Sequence, residues 1–351
     1  MLGPRARRPG GPPILRAKAP LRLSFAGGGT DVPPFPENEG GSVLSTTINR
    51  YAYGTLRPRD DDQIRIRSLD FGMTVTYDVD DTLVYDGKLD LVKAAIIHGG
   101  IPRGGFDLFL HSDAPPGSGL GASSAMMVAL VGLLNEWKSG SLSQYEIADQ
   151  AHRIERVELG IDGGLQDHYA ATFGGFNFIE FLPDGVTVNP LRISADVQNE
   201  LQYNLLLAFT GQIRLSAHII EDQVHRYRSG NEDSVDALRE LKRLSVEMKR
   251  CLLDHRLASF GPLLDEQWRH KKRMSPRIST PEIDAIYAAA CSAGATGGKV
   301  TGAGGGGYML FYCPDESRHA VARRLTELGC SVADFSFEPS GLQTWRVRDR
   351  A

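Results

Sequence analysis

The chain is poor in cysteine. Four among 351 residues, Cys251, Cys291, Cys313 and Cys330, show no C-x-x-C spacing, so metal clusters and disulfide scaffolds find no support. Small buried thiols in a reducing compartment are expected instead. No run approaches ~18 consecutive apolar residues, which argues against a transmembrane helix. The formal net charge of −4 gives no footing for a nucleic-acid-binding surface, although it leaves room for a local basic pocket. The first turns of the chain, Met1 to Pro13, are rich in Gly, Pro and Arg. They lack the apolar core of a signal peptide and suit a disordered tail, expected over residues 1–18. These absences describe a cytoplasmic protein with no nucleic-acid or membrane partner. What remains is ordinary for a globular protein: 41% hydrophobic and 23% charged residues, with length enough for two domains or one large one.

One stretch organises the rest: Asp113-Ala-Pro-Pro-Gly-Ser-Gly-Leu-Gly-Ala-Ser-Ser-Ala125. A strand-like run, Phe106–Leu110, precedes it, and an apolar helical segment, Ala125–Leu134, follows. Strand, glycine loop and helix gather backbone N–H groups and the positive end of a helix dipole at one point, where an anion such as a phosphate is held. Ser123 and Ser124 fall at the helix start, as caps or as ligands of phosphate and metal. A turn with a serine N-cap is the plainer reading of the same residues.

Strands are expected at Pro20–Ala26, Gly41–Ile48, Arg50–Arg57, Gln63–Leu69, Gly72–Tyr77 and Phe106–His111. Helical spacing marks Lys88–His98, Ser124–Trp137, Ser143–Leu159 and His168–Phe173, and a hairpin is expected around Pro183-Asp184-Gly185. Beyond a boundary near residues 195–203 the texture changes. A buried-type strand, Asn204–Phe209, precedes a mostly helical stretch from Arg214 to His270. The last part reads helix (Glu282–Ala293), strand (Gly298–Thr301), strand (Tyr308–Cys313), helix (Ser317–Leu328), strand (Ser331–Glu338). This is the pattern of a split β-α-β, ferredoxin-like sandwich.

Three glycine clusters carry the chemistry. Gly27-Gly28-Gly29-Thr30-Asp31 lets a ligand approach the backbone, and Asp31 can accept hydrogen bonds from sugar hydroxyls, or can be the exposed end of a plain turn. Gly117, Gly119 and Ala122 of the second cluster satisfy G-x-G-x-x-[GA]. The dinucleotide reading fails on context, because two helices follow and no second strand ends in an acid. A Walker A loop fails too, since Gly298-Lys299 is followed by Val300 and Ala293 stands where the first glycine belongs. The third cluster, Gly302-Ala-Gly-Gly-Gly-Gly307, costs roughly 0.5–1 kcal/mol per glycine relative to alanine. Such a cost points to a need for bare backbone rather than a packing turn.

In this order, the three stretches Pro20–Asp31, Pro115–Ala125 and Gly298–Gly307 resemble the signature motifs of the GHMP kinase superfamily. The resemblance implies an α+β architecture: an ATP-binding domain of ribosomal-protein-S5-domain-2-like fold, expected over 19–200, and a ferredoxin-like domain over 201–351, with ATP and substrate between them. The phrases Phe25–Asp31, Leu165–Gly175 and Gly297–Gly307 resemble the D-glycero-D-manno-heptose 7-phosphate kinase branch. Such enzymes phosphorylate the anomeric hydroxyl of a sugar 7-phosphate for nucleotide-sugar synthesis. Other acceptors within the resemblance are an octose phosphate from an antibiotic pathway, a free sugar such as L-fucose, or an isoprenoid alcohol. A galactokinase-like sensor and a diphosphomevalonate decarboxylase are further alternatives.

The resemblance also assigns roles. Asp167 takes the place near the attacking hydroxyl, where it would accept or orient the proton; a helix N-cap is the competing role. Arg22 would hold charge on the transferring phosphoryl group or the anomeric oxygen. Pro116, Gly117, Ser118, Gly119, Leu120, Gly121, Ala122, Ser123 and Ser124 would hold ATP. Glu155, five residues before Gly160 and twelve before Asp167, together with Ser124, would bind Mg2+. Gly28, Gly29, Thr30, Asp31, His168, Gly304 and Gly305 would meet the sugar, with His168 standing where the branch commonly has Gln. Arg214, Lys272 and Arg273, from the runs Phe209–Arg214 and Lys271–Arg273, are candidates for the substrate phosphate, since guanidinium binds phosphate bidentately. The chain is expected as a monomer or homodimer.

Overall fold

A computed structural model of the chain describes residues 13–100, 104–213 and 217–347. In chain order the first unit comprises β1 (Ile14–Ala26), the short α1 (Phe35–Glu39), β2 (Gly41–Pro58), β3 (Gln63–Ser68), β4 (Met73–Asp78), α2 (Asp90–Gly99), β5 (Phe106–Ser112), α3 (Ala122–Trp137) and α4 (Gln144–His152). A π-helical turn (Arg153–Glu158), α5 (Gln166–Phe173), β6 (Asn177–Leu182), β7 (Gly185–Pro190) and α6 (Ala195–Asn204) complete it. The second comprises β8 (Leu205–Phe209), α7 (Ala217–Arg228), α8 (Glu232–Leu253), α9 (Phe260–Met274), α10 (Pro281–Ser292), β9 (Gly297–Val300), β10 (Tyr308–Tyr312), α11 (Ser317–Glu327) and β11 (Ser331–Ala333). A final strand, β12 (Gln343–Val347), follows.

The first sheet has eight strands. Six follow the path β12-β1-β2-β5-β3-β4, and the β6–β7 hairpin attaches to β2. The second sheet is antiparallel with order β11-β8-β10-β9, the 4-1-3-2 arrangement of the expected ferredoxin-like sandwich. Helix α3 is apolar on nearly every side, with Ala125 through Leu134 buried, because it lies between the first sheet and other helices. One apolar core runs through both units: Leu21, Leu23 and Phe25 share it with Leu205, Leu207, Met248 and Leu310. Phe25 meets Phe260 edge-on at 5.3 Å between ring centroids.

Several boundaries differ from the sequence reading, each for a local reason. The two strands expected at 41–48 and 50–57 are one strand, β2. Its register against β1 shifts between Pro20 and Leu21, where the proline lacks an N–H to donate and the ladder bulges instead of ending. The tail expected to reach residue 18 yields to β1 at Ile14, because Ile14–Lys18 pair with β12. Through that pairing the C-terminal end of the chain returns to the first sheet and covers one side of β1. The strand expected to reach Glu338 stops at Ala333, after which Phe337 makes only an isolated bridge with Ile48. Cys251, Cys313 and Cys330 are buried as expected, whereas Cys291 is exposed, and none of the four is paired. Among the described residues no helix is long and apolar enough to cross a membrane.

Candidate active site

The three glycine clusters converge on one cleft of about 230 Å3, lined among others by Arg22, Gly28, Gly29, Gly117, Gly119, Gly121, Asp167, Thr301, Gly302 and Gly304. Backbone bonds fasten the loops together: Arg22 N donates to Leu120 O at 3.0 Å, and Tyr308 N to Ser118 O at 3.0 Å. The second and third loops touch at Gly119 and Gly302. A Cβ on Gly119 would stand 2.6 Å from Thr301 O, and one on Gly302 would stand 2.7 Å from the Gly119 Cα. Both residues have positive φ, +82° and +66°, a region where a side chain is strained. Bare backbone is thus required twice at this crossing.

An acidic centre is built at the start of α3. The helix pattern that runs on from α4 widens into the π turn, where Leu159 N donates to Ile154 O. Such single-turn π segments are frequent at functional sites. Glu155 lies in this turn and is fully buried. Its Oε1 accepts from Ser123 Oγ at 2.6 Å and its Oε2 from Ser124 Oγ at 2.7 Å. His168 Nε2 lies 2.6 Å from the same Oε2, while Arg156 Nη1 lies 3.6 Å from Oε1. Burial alone pushes this carboxyl up; Arg156, His168 and Ser123 outweigh it and hold the group well below the ordinary carboxylate range. The Glu155 carboxylate is therefore ionised at neutral pH.

Opposite stands an arginine–aspartate pair. Arg22 Nε and Nη2 each lie 2.7 Å from Asp167 Oδ1, and Arg22 Nη1 donates to Gly119 O at 2.6 Å. Asp31 reaches the start of α5 from the first glycine loop. Its Oδ2 accepts from Gln166 N at 3.1 Å, its Oδ1 from Gly29 N at 3.0 Å, and Gln166 Nε2 is 3.0 Å from both oxygens. A carboxylate at a helix N-terminus is favoured by the exposed N–H groups there. Burial and then the neighbouring charge of Asp167 nevertheless push the Asp31 carboxyl up, against the hydrogen bonds from Gln166 and Gly29.

The structure redistributes several sequence-assigned residues. Gly117, Gly119, Gly121, Ala122, Ser123 and Ser124 line the cleft, while Pro116 lines an adjoining apolar cavity. Ser118 and Leu120 are buried and join the loops through their backbone carbonyls. Thr30, expected at the sugar, is buried with its hydroxyl on Gly27 O and Ser42 O. His168, also expected there, is fully buried behind Glu155 and does not line the cleft. Asp31 lines the cleft, but both its oxygens are engaged by the chain itself. Of the third loop, Gly304 faces the cleft, whereas Gly305 N is turned onto Ile278 O at 2.9 Å.

Lys272 and Arg273 lie outside the cleft, paired with Asp284 at 3.1 Å and Asp233 at 3.0 Å; Arg214 lies outside the described residues. Of the run Lys271–Arg273, Lys271 enters the cleft, buried in α9 with its ammonium on Gly302 O. Burial and then the charge of Arg22 lower this lysine to about 8, against the pull of Asp31 and Asp167. The spacing Leu264, Trp268, Lys271 places it on the buried face of α9, a helical signal legible in the sequence. Gln166, Arg156 and Asp162 also line the cleft; nothing in their local pattern distinguishes them from surface polar residues.

Three loops that present bare backbone to a charged cleft, with a carboxylate–serine centre facing an arginine–aspartate pair, define a small-molecule kinase. The chain matches the models for the GHMP kinases N-terminal domain over residues 89–175 and the GHMP kinases C-terminal domain over residues 248–329. It is 38% identical over 340 residues to a D-glycero-alpha-D-manno-heptose 7-phosphate kinase of Campylobacter jejuni, covering 95% of this chain and 99% of that protein. The crystal structure of a D-glycero-D-manno-heptose 1-phosphate kinase from Bacteroides thetaiotaomicron superposes with a TM-score of 0.81 at 34% identity, over 95% of this chain and 99% of that one. A bifunctional fucokinase/GDP-fucose pyrophosphorylase of Arabidopsis thaliana is 27% identical over 90% of this chain but only 31% of its own length. The chain belongs to the GHMP kinase family, whose members use ATP as phosphoryl donor. Within that family it is a sugar kinase.

Proposed function

We propose that the chain transfers the γ-phosphoryl group of ATP to the anomeric hydroxyl of a sugar 7-phosphate, giving the 1,7-bisphosphate used in nucleotide-sugar synthesis. The observation that carries this reading is the convergence of all three glycine loops with Asp167, Arg22 and Glu155 on one cleft. The triphosphate is assigned to the N–H groups from Gly117 to Ser123 and the α3 N-terminus. The base is assigned to the apolar cavity of about 260 Å3 that continues from Pro116, Ala122 and Ser123 to Phe71, Leu89 and Met126.

The residues present suit Mg2+: an ionised, buried carboxylate, Glu155, sits beside the hydroxyls of Ser123 and Ser124, and magnesium takes few protein ligands and keeps waters. Glu155 and Ser124 would hold it. When bound, the ion neutralises charge on the β- and γ-phosphates.

Asp167 keeps Oδ1 on Arg22, which leaves Oδ2 for the acceptor hydroxyl. As the anomeric oxygen bonds to the γ-phosphorus, its proton passes to Asp167 and the bond to the bridging β–γ oxygen breaks, releasing ADP. Arg22 and Lys271 offer positive charge where negative charge gathers on the transferring group. Measuring ADP release with D-glycero-D-manno-heptose 7-phosphate, the corresponding 1-phosphate and L-fucose tests the assignment. Turnover of the 7-phosphate to a 1,7-bisphosphate, identified by phosphorus NMR, is expected. Preferred turnover of L-fucose, or attachment at another oxygen, would overturn it.

A further inference from the structure

Beside the catalytic cleft opens a larger cavity of about 670 Å3, and the two share a wall that includes Arg156, Ile161, Asp162 and Gly163. The inner cleft, at about 230 Å3, is smaller than the ~300–1,000 Å3 of ordinary small-molecule sites. It must also hold the transferring phosphoryl group. That leaves little room in the inner cleft for a whole sugar phosphate as well.

The chemistry of the outer cavity is uneven. Arg228, at the end of α7, and Arg277, in the segment before α10, both line it. Neither guanidinium has an ion-pair or hydrogen-bond partner among the described residues. On the neighbouring α8, by comparison, Arg239 is held by Glu39, and Arg243 by Glu240, Glu247 and Glu266. Of the carboxylates in the same cavity, Asp222 accepts from Ser275 Oγ at 2.5 Å and Glu221 lies 3.7 Å from His218. Asp162, on the shared wall, has no partner among the described residues, and its carboxylate can accept from hydroxyl groups. Free acceptor at the junction and free planar cations beyond it match a polyol that ends in a dianion, because guanidinium engages phosphate bidentately.

We propose that the outer cavity is the subsite for a phosphate the acceptor sugar already carries, bound by Arg228 and Arg277, with Asp162 receiving the hydroxyls between the two ends. The ligand class is a sugar with a terminal phosphomonoester several carbons from the acceptor hydroxyl. This rests on the sugar-phosphate reading above and adds the residues that select it.

The test is a double variant, Arg228→Gln with Arg277→Gln, beside the wild type and Arg323→Gln, a one-charge change at an exposed site on α11. KM is measured for D-glycero-D-manno-heptose 7-phosphate and for the unphosphorylated heptose, and calorimetric binding of the 7-phosphate is measured with a non-hydrolysable ATP analogue present. In the double variant the KM for the 7-phosphate should rise about 10-fold or more per arginine, towards the value for the free heptose. The KM for ATP and turnover of the free heptose should stay unchanged. An unaltered KM in the double variant, or a wild type indifferent to the 7-phosphate, would overturn the subsite while leaving the kinase reading intact. If the wild type phosphorylates neither sugar, the kinase assignment for heptose fails. Calorimetry then decides the subsite: binding lost only in the double variant supports it, and absent or unaltered binding overturns it.

Discussion

Arg22 places two nitrogens, Nε and Nη2, at 2.7 Å from the same oxygen of Asp167, so the aspartate enters the cleft already oriented and, among the described residues, with its other oxygen free. Asparagine at this position keeps an oxygen for Arg22 but cannot take a proton. Asp167→Asn is expected to remain folded, with a somewhat lowered melting temperature because the buried Arg22 loses its counter-charge, and to lose turnover by about 10²–10⁴-fold, the usual contribution of a positioned acid or base. Steady-state kinetics beside a thermal melt checks this. Near wild-type turnover would remove Asp167 from the catalytic role.

Glu155 is the only carboxylate bonded to both serines at the start of α3 among the described residues. Glu155→Gln conserves shape and removes the charge. The Mg2+ concentration for half-maximal activity should then rise by about tenfold or more, while the KM for the sugar changes little. A magnesium titration at saturating ATP measures it; an unchanged titration would place the ion elsewhere.

Lys271 links the cleft to pH. Its folded value of about 8 lies below the ordinary 10.5. Below about 8 the ammonium is charged in both folded and unfolded chains. Between about 8 and 10.5 the folded chain has released a proton that the unfolded chain keeps, so stability rises with pH from this group. Lys271→Met lacks that rise. Urea midpoints of the two proteins, compared from pH 7 to 10, should show the wild type gaining relative to the variant. Parallel profiles would show that Lys271 titrates at its ordinary value.

At the crossing of the second and third loops, Gly302→Ala meets both a strained φ of +66° and the Gly119 Cα at 2.7 Å. The strain alone costs about 1–2 kcal/mol, and the clash must move one loop away from the other. A lower urea midpoint together with a raised KM for ATP is expected. A variant with wild-type KM for ATP would show that the two loops need not touch for nucleotide binding.

Much of this protein is written in local pattern. The glycine loops announce themselves because backbone that must turn, or approach another chain closely, tolerates no Cβ. The split β-α-β order after Leu205 is readable because alternation and helical spacing leave their marks over short windows. Asp167, Arg22, Glu155 and Ser124 are singled out by the motifs around them, and all four line the same cleft. By contrast, His168 and Thr30 look like ligand-facing residues in sequence and are buried in the structure. Lys272 and Arg273 look like an anion site and are surface ion pairs.

The sequence by itself determined the kinase fold and the loops that make the cleft, since both follow from short-range geometry: where the chain turns, where it can have no side chain, which face of a helix is apolar. Tertiary structure alone decided which charges meet. Asp31 and Gln166 are 135 residues apart, Arg22 and Asp167 are 145 apart, and the strand that ends the described chain pairs with the one that begins it. No local pattern encodes such pairings, because a charge costs the same in any exposed stretch until packing removes its water and leaves it one partner.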